Sequence, residues 1–216
     1  MSHIFGRLAL GTANFGHEYN GAKVPEDDIK RILDYCQCSG ITTIDTAEAY
    51  GWDWTEAKTC FDIVVKTNAP IGATKNYHNI DCIMSHNAPH GWYVVDKQIR
   101  TGASLYEPSE IREVDERCQV LQVPYSIYDR RFSRIIDSCE FEIHVRSIFL
   151  RGKILEAGFT PVQCIAFCLM NPNIDKVILG ADSYEQFKNN LKPFHRWNTA
   201  EKHNINLLDC RRWETK

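Results

Sequence analysis

The chain has no run of about 18 or more apolar residues, the length a helix needs to cross a bilayer, so no segment reads as a membrane span. Its opening, MSHIFGRLALGT, has no basic stretch followed by a long apolar core, and no secretory leader is expected. Neither sign of charge dominates: 25 basic and 28 acidic residues leave a net charge of −3, too little to gather nucleic acid. Internal repeats, low-complexity runs and linker-like stretches are absent, and residues 1–216 read as one domain with 193–216 as a C-terminal tail. The nine cysteines are odd in number and scattered, without the two CxxC pairs of a zinc ribbon. They are expected to be mostly small buried hydrophobes in a reducing, cytoplasmic setting. No metal-ligand cluster and no pair of acids suggests a hydrolase or lyase site.

What is present is an alternation of short apolar runs and helical patterns. Strands are expected at Leu8–Thr12, Thr42–Thr46, Asp62–Thr67, Ile80–His86, Thr101–Tyr106, Val120–Ser126, Phe141–Phe149 and Asp175–Gly180. Pro25 opens a helix whose first turn holds Glu26, Asp27 and Asp28, where the helix dipole favours negative charge. Ile29, Ile32, Leu33 and Cys36 form its buried stripe, and Gly40 can close it in the left-handed conformation. Further helices are expected at about Ser109–Cys118, Phe132–Cys139, from Pro161 to about Met170, and from Ser183 to about Leu191. Thr160–Gln163 and Ser183–Gln186 read as capping boxes. The connections 68–79 and 87–100 are too short for comfortable full-length helices. Eight strands separated by helices imply parallel βα units. Periodicity leaves open whether they close into a barrel or form an open doubly wound sheet.

Three ionisable residues fall where strands end: Asp45, Lys66 and His86. In a parallel barrel such ends share one face, where sites are built. Tyr50, five residues past Asp45, can fold back over that face. Singly, each has an ordinary explanation: a turn cap for Asp45, a solvated Lys66, a hydrogen-bonded loop residue for His86, packing for Tyr50. Together they suit carbonyl reduction. A carbonyl oxygen that gains negative charge must receive a proton, and a phenol with a free pKa of about 10 gives one up reluctantly. A neighbouring ammonium stabilises the phenolate. A carboxylate keeps that ammonium charged and aimed, and an imidazole can orient the carbonyl.

The sequence resembles the aldo-keto reductases over roughly residues 7–191. The matching segments are RLALGT at 7–12, GITTIDTAEAYG at 40–51, VVKT at 64–67, MSHN at 84–87, QVPYSIYDR at 122–130, HVRSIFLRG at 144–152 and VILGADSYEQFKNN at 177–190. The resemblance implies a compact (β/α)8 TIM barrel with some outer helices and loops shortened. It also implies an NAD(P)H-dependent oxidoreductase acting on a small-molecule aldehyde, ketone or sugar-like carbonyl. Tyr50 would be the proton donor, Lys66 and Asp45 would tune it, and His86 would position the carbonyl. Ser104 and Gln122 would contact the nicotinamide amide. Arg146 would lie flat against the nicotinamide ring, and Ser147 would lie near the pyrophosphate. Asp182, Ser183, Gln186 and Asn190 fall in the adenosine-binding segment.

The chain departs from the family pattern in two places. Asp182 and the uncharged Gln186 stand where the family commonly has cations for the 2′-phosphate of NADP, and Leu105 stands where many members have Asn. NADP(H) is placed ahead of NAD(H) on family habit, not on these residues. Trp52, Trp54, His90 and Trp92 are candidates for a substrate pocket or, equally, for packing at the barrel rim. The alternative to an enzyme is a nicotinamide-binding sensor with little turnover.

Overall fold

The computed structural model describes residues 4–18, 21, 23–68, 80–86 and 99–199. Eight parallel strands close into a barrel in chain order: β1 (Leu8–Gly11), β2 (Thr43–Ala47), β3 (Asp62–Thr67), β4 (Cys82–Ser85), β5 (Arg100–Ser104), β6 (Val120–Pro124), β7 (Glu142–Arg146) and β8 (Lys176–Gly180). All eight strands overlap expected ones, though β4 and β7 are about half the expected length and β2 and β5 are offset by a residue. The β1–β8 pairing closes the ring, with Leu8 against Val177 and Gly11 against Gly180. Arg7 secures that seam from below: its guanidinium donates to the carbonyls of Leu169, Asn171 and Ile174 at 2.6–3.2 Å.

Strand alternation sends every second side chain into the bore. At the N-terminal mouth, Arg100 pairs with Asp81 at 2.5 Å and with Glu142, and Glu142 accepts from the buried His144 at 2.7 Å. Above them Val64, Cys82, Met84 and Val120 make a small apolar cluster separate from the main core. The bore is tight there: a Cβ on Gly102 would lie 2.7 Å from Met84 Cγ and 2.9 Å from the carbonyl oxygen of Val120. The opposite face of the strands supplies the larger core, with Leu8, Leu10, Ile44, Ile63, Val65, Leu121 and Val145 packed against the outer helices.

The helices are α1 (Glu26–Ser39), α2 (Ser133–Ser138), α3 (Lys153–Glu156), α4 (Pro161–Met170) and α5 (Tyr184–Thr199). Helix α1 has the expected acidic first turn and buries Ile29, Ile32 and Cys36, and Gly40 ends it at φ 84°. The Thr160 box of α4 is present, with Thr160 Oγ1 accepting from the Gln163 backbone and Gln163 accepting from the Thr160 backbone.

Two expectations need correction. The helix expected at about Ser109–Cys118 is a short 3-10 turn, Pro108–Glu113. Ile111 and Val114 pack against the core only partly buried, and Cys118, beyond the turn, is buried in it. Asp115 captures the backbone N–H of Arg117 at 2.9 Å, a local turn that competes with a helix. Conversely, α5 continues past Leu191 and through Pro193, where a tail was expected. Proline removes one helix N–H, but Leu191 and Phe194 are fully buried and His195 sits 2.6 Å from the Tyr35 hydroxyl of α1. Packing on α1 outweighs that local cost. The two short connections and the remainder of the tail, 200–216, lie wholly or mostly outside the described residues.

Hydrogen bonding from His144, followed by the ion pair to Arg100, lowers the Glu142 carboxyl from 4.5 to about 2 despite its partial burial. A carboxyl depressed in the folded state contributes stability above its unfolded value, and that contribution fades as pH falls towards the folded value. Between pH 5 and about pH 2, the melting temperature of the native chain should fall more steeply than that of Glu142→Gln. Parallel curves in a pH series of thermal melts would show that this group contributes nothing.

Candidate active site at the C-terminal mouth of the barrel

Asp45, from the middle of β2, and Lys66, near the end of β3, point into the bore and are almost wholly buried. Their ammonium and carboxylate meet at 2.5 Å. The other Asp45 oxygen accepts from the Gln122 amide of β6 at 2.6 Å, so both carboxylate oxygens are engaged. Burial pulls the Lys66 pKa down, Asp45 opposes that shift, and the charge of Arg146 adds to it.

Tyr50 ends a 3-10 turn, Glu48–Tyr50, that follows β2 directly. Its ring lies 5.4 Å from the Lys66 ammonium and edge-on to the His86 imidazole, with centroids 5.9 Å apart. His86, just past β4, has its pKa lowered first by burial and then by Lys66, so the imidazole is neutral at neutral pH. Its Nδ1 is buried without a hydrogen-bond partner among the described residues.

The turn that carries Tyr50 is held on two sides. Glu48 accepts from the hydroxyl of Thr67, the neighbour of Lys66, at 2.7 Å. On the other side the loop after β1 presses against it. A Cβ on Gly16 would fall 2.2 Å from the Tyr50 carbonyl oxygen, and one on Gly51 would fall 2.1 Å from the His17 ring. Gly51 is also left-handed at φ 67°, so glycine suits this position on both counts.

All four residues line a cleft of about 710 Å³ that opens at the C-terminal ends of the strands. Ser104, Gln122, Arg146, Ser147, Asp182, Gln186 and Asn190 line it as well; Ser183 does not. The Ser183 hydroxyl instead accepts from the Gln186 backbone at 3.2 Å, and the Gln186 side chain reaches past Ser183 to accept from the Asp182 N–H at 2.8 Å. Trp52 is not among the lining residues either. It packs edge-on against Phe15 at 5.2 Å, and Trp54 also lies against the core. His90 and Trp92 lie outside the described residues.

Sequence reasoning missed several lining residues. Asn14 donates to Asp182 at 2.9 Å, and Tyr106 carries the Arg146 guanidinium 4.2 Å above its ring. Arg151 also lines the cleft. It belongs to a loop in which Ser147, Leu150 and Arg151 all adopt positive φ. Left-handed backbone at non-glycine residues is uncommon and gathers at functional sites, but no sequence signal marks it.

No protein-family model matches the chain. Over 64 residues, 30% of this chain, it is 34% identical to the imidazolonepropionases of Streptococcus gordonii and Streptococcus sanguinis, spanning 18% and 14% of their lengths. Among solved structures it is similar to PA4992 of Pseudomonas aeruginosa, assigned to the aldo-keto reductases. The TM-score is 0.65 at 18% identity, covering 86% of this chain and 88% of that one. It is also similar to the holo form of the aldo-keto reductase AKR11C1 from Bacillus halodurans, with a TM-score of 0.64 at 18% identity, covering 87% and 86%. The chain therefore has the (β/α)8 fold of the aldo-keto reductases.

The buried pair gives a test of its own. Asp45→Ala should cost about 3–5 kcal/mol in urea unfolding, because it strands a buried ammonium. Lys66→Met should cost less, since the carboxylate keeps its bond from Gln122. The double variant Asp45→Leu/Lys66→Met should regain most of the loss. Additive losses would mean that the two charges do not depend on each other.

Proposed function

We propose that the chain is an oxidoreductase of the aldo-keto reductase type, reducing a small-molecule carbonyl with a nicotinamide coenzyme. The observation that carries this reading is the meeting of Tyr50, Lys66, Asp45 and His86 at one end of one cleft. The residues present also suit the coenzyme. The cleft is of ligand size. Beside the four residues, Ser104 and the acceptor oxygen of Gln122 offer polar partners for an amide. The buried, unpartnered Nδ1 of His86 leaves hydrogen-bonding capacity in the same place.

When bound, the coenzyme supplies a hydride to the carbonyl carbon. The protein supplies the rest. Tyr50 gives its proton to the carbonyl oxygen. Lys66 stabilises the phenolate left behind, and Asp45 and Gln122 keep Lys66 charged and pointed at Tyr50. Neutral His86 orients the carbonyl as a hydrogen-bond partner.

Tyr50→Phe and Lys66→Met should each lower aldehyde-dependent oxidation of reduced coenzyme by about 100-fold or more, since each removes an effective proton donor. Near-native turnover in Lys66→Met would sink the mechanism. Coenzyme binding without turnover on a panel of aldehydes would favour a sensor.

At the far end of the cleft the residues favour NAD(H), against the family habit. The exposed Asp182 carboxylate is held towards Asn14 and Gln186. Two of the first-turn N–H groups of α5 are already engaged: Tyr184 donates to Asp28 at 3.0 Å and Gln186 donates to Ser183. Little remains there to hold a 2′-phosphate, whereas a carboxylate accepts ribose hydroxyls. NADH should therefore bind tighter than NADPH in a fluorescence titration, and Asp182→Lys should narrow or reverse the difference. Tighter NADPH binding by the native chain would restore the family habit.

A further inference from the structure

The reacting end of the cleft carries a positive charge that proton delivery does not use. Lys66 is balanced by Asp45. Arg146, at the end of β7, is not balanced by any ion pair among the described residues. It donates to the Leu105 carbonyl at 2.9 Å and to the Ser147 hydroxyl at 3.4 Å, and its guanidinium lies 4.2 Å from the centre of the Tyr106 ring. Asp129 feels its charge but is paired with Arg131 at 2.9 Å. The charge of Arg146 also reaches Lys66 and His86, the two groups beside Tyr50. A guanidinium cannot shed its proton. With Asp45 negative, Lys66 and Arg146 positive and His86 neutral, these four groups together hold one positive charge in excess.

We propose that Arg146, pinned on Tyr106, makes the cleft discriminate between the two redox states of a nicotinamide coenzyme, holding the reduced form and releasing the oxidised one. The inference rests on the function proposed above, which places the nicotinamide at this end. The carbonyl carbon takes a hydride from the ring and the carbonyl oxygen takes the Tyr50 proton. The ring thereby changes from neutral to singly positive. A fixed, partly buried guanidinium repels the positive ring and not the neutral one, and water screens that repulsion only in part. Tyr106 keeps the guanidinium from swinging away, because its ring face attracts the cation. Such a site suits carbonyl reduction, since the spent coenzyme leaves readily.

The test compares affinities in the purified chain at pH 7, with NADH followed by its fluorescence and NAD+ by its competition against NADH. NADH should bind about ten-fold tighter or more. Arg146→Gln should bring the two affinities to within about two-fold, and Arg146→Lys, which keeps the charge but loses the planar seat on Tyr106, should leave an intermediate preference. Equal affinities in the native chain, or an undiminished preference in Arg146→Gln, would overturn the role of Arg146 and leave the coenzyme reading intact. Failure of NADH, NAD+, NADPH and NADP+ alike to bind would overturn both.

Discussion

The ion pair between Lys66 and Asp45 is the constraint on which the upper half of the barrel depends. Two charges this deeply buried are tolerated only if each is satisfied by a partner. Asp45 meets that demand by accepting from Lys66 with one oxygen and from Gln122 with the other. Three strands, β2, β3 and β6, are thereby tied across the bore. The ammonium has no low-energy alternative position, so it stays beside the Tyr50 ring.

The two mouths of the barrel divide the labour. At the N-terminal mouth, Arg7, Arg100, Glu142 and His144 bind strand ends and the closing seam, and their hydrogen bonds are made to other parts of the protein. At the C-terminal mouth, several polar groups face an open cleft, and left-handed backbone gathers in the loop after β7. Strain on one face, with ion pairs that tie strand ends on the other, is the pattern expected of a parallel barrel whose chemistry lies at its strand C-termini.

Much of the framework was legible because it is local. The β3 strand, the acidic first turn and Gly40 stop of α1, and the Thr160 cap of α4 depend on residues within a few positions of one another. Errors arose where distant contacts outvoted local ones. A tail was expected from residue 193, but Tyr35, Phe5 and the core hold the turn after Pro193 in helix. In the other direction, the stretch after Pro108 carries a helical pattern but too little apolar surface, and Asp115 diverts its backbone.

The candidate site divides in the same way. Asp45, Tyr50, Lys66 and His86 could be singled out from the chain because strand ends in a parallel fold share a face and their spacing follows that rule. The capping residues and the alternation of the strands were likewise written in the order of the amino acids. Closure of the sheet was not, since an open sheet satisfies the same periodicity. Nor were the bond from Gln122 to Asp45, the seat of Arg146 on Tyr106, the contact of Asn14 with Asp182, or the withdrawal of Trp52 and Ser183 from the cleft. Each joins or separates groups by wrapping the barrel or by spending a side chain on its own backbone. Such choices are set by three-dimensional competition for hydrogen-bond partners and buried volume, which sequence spacing does not encode.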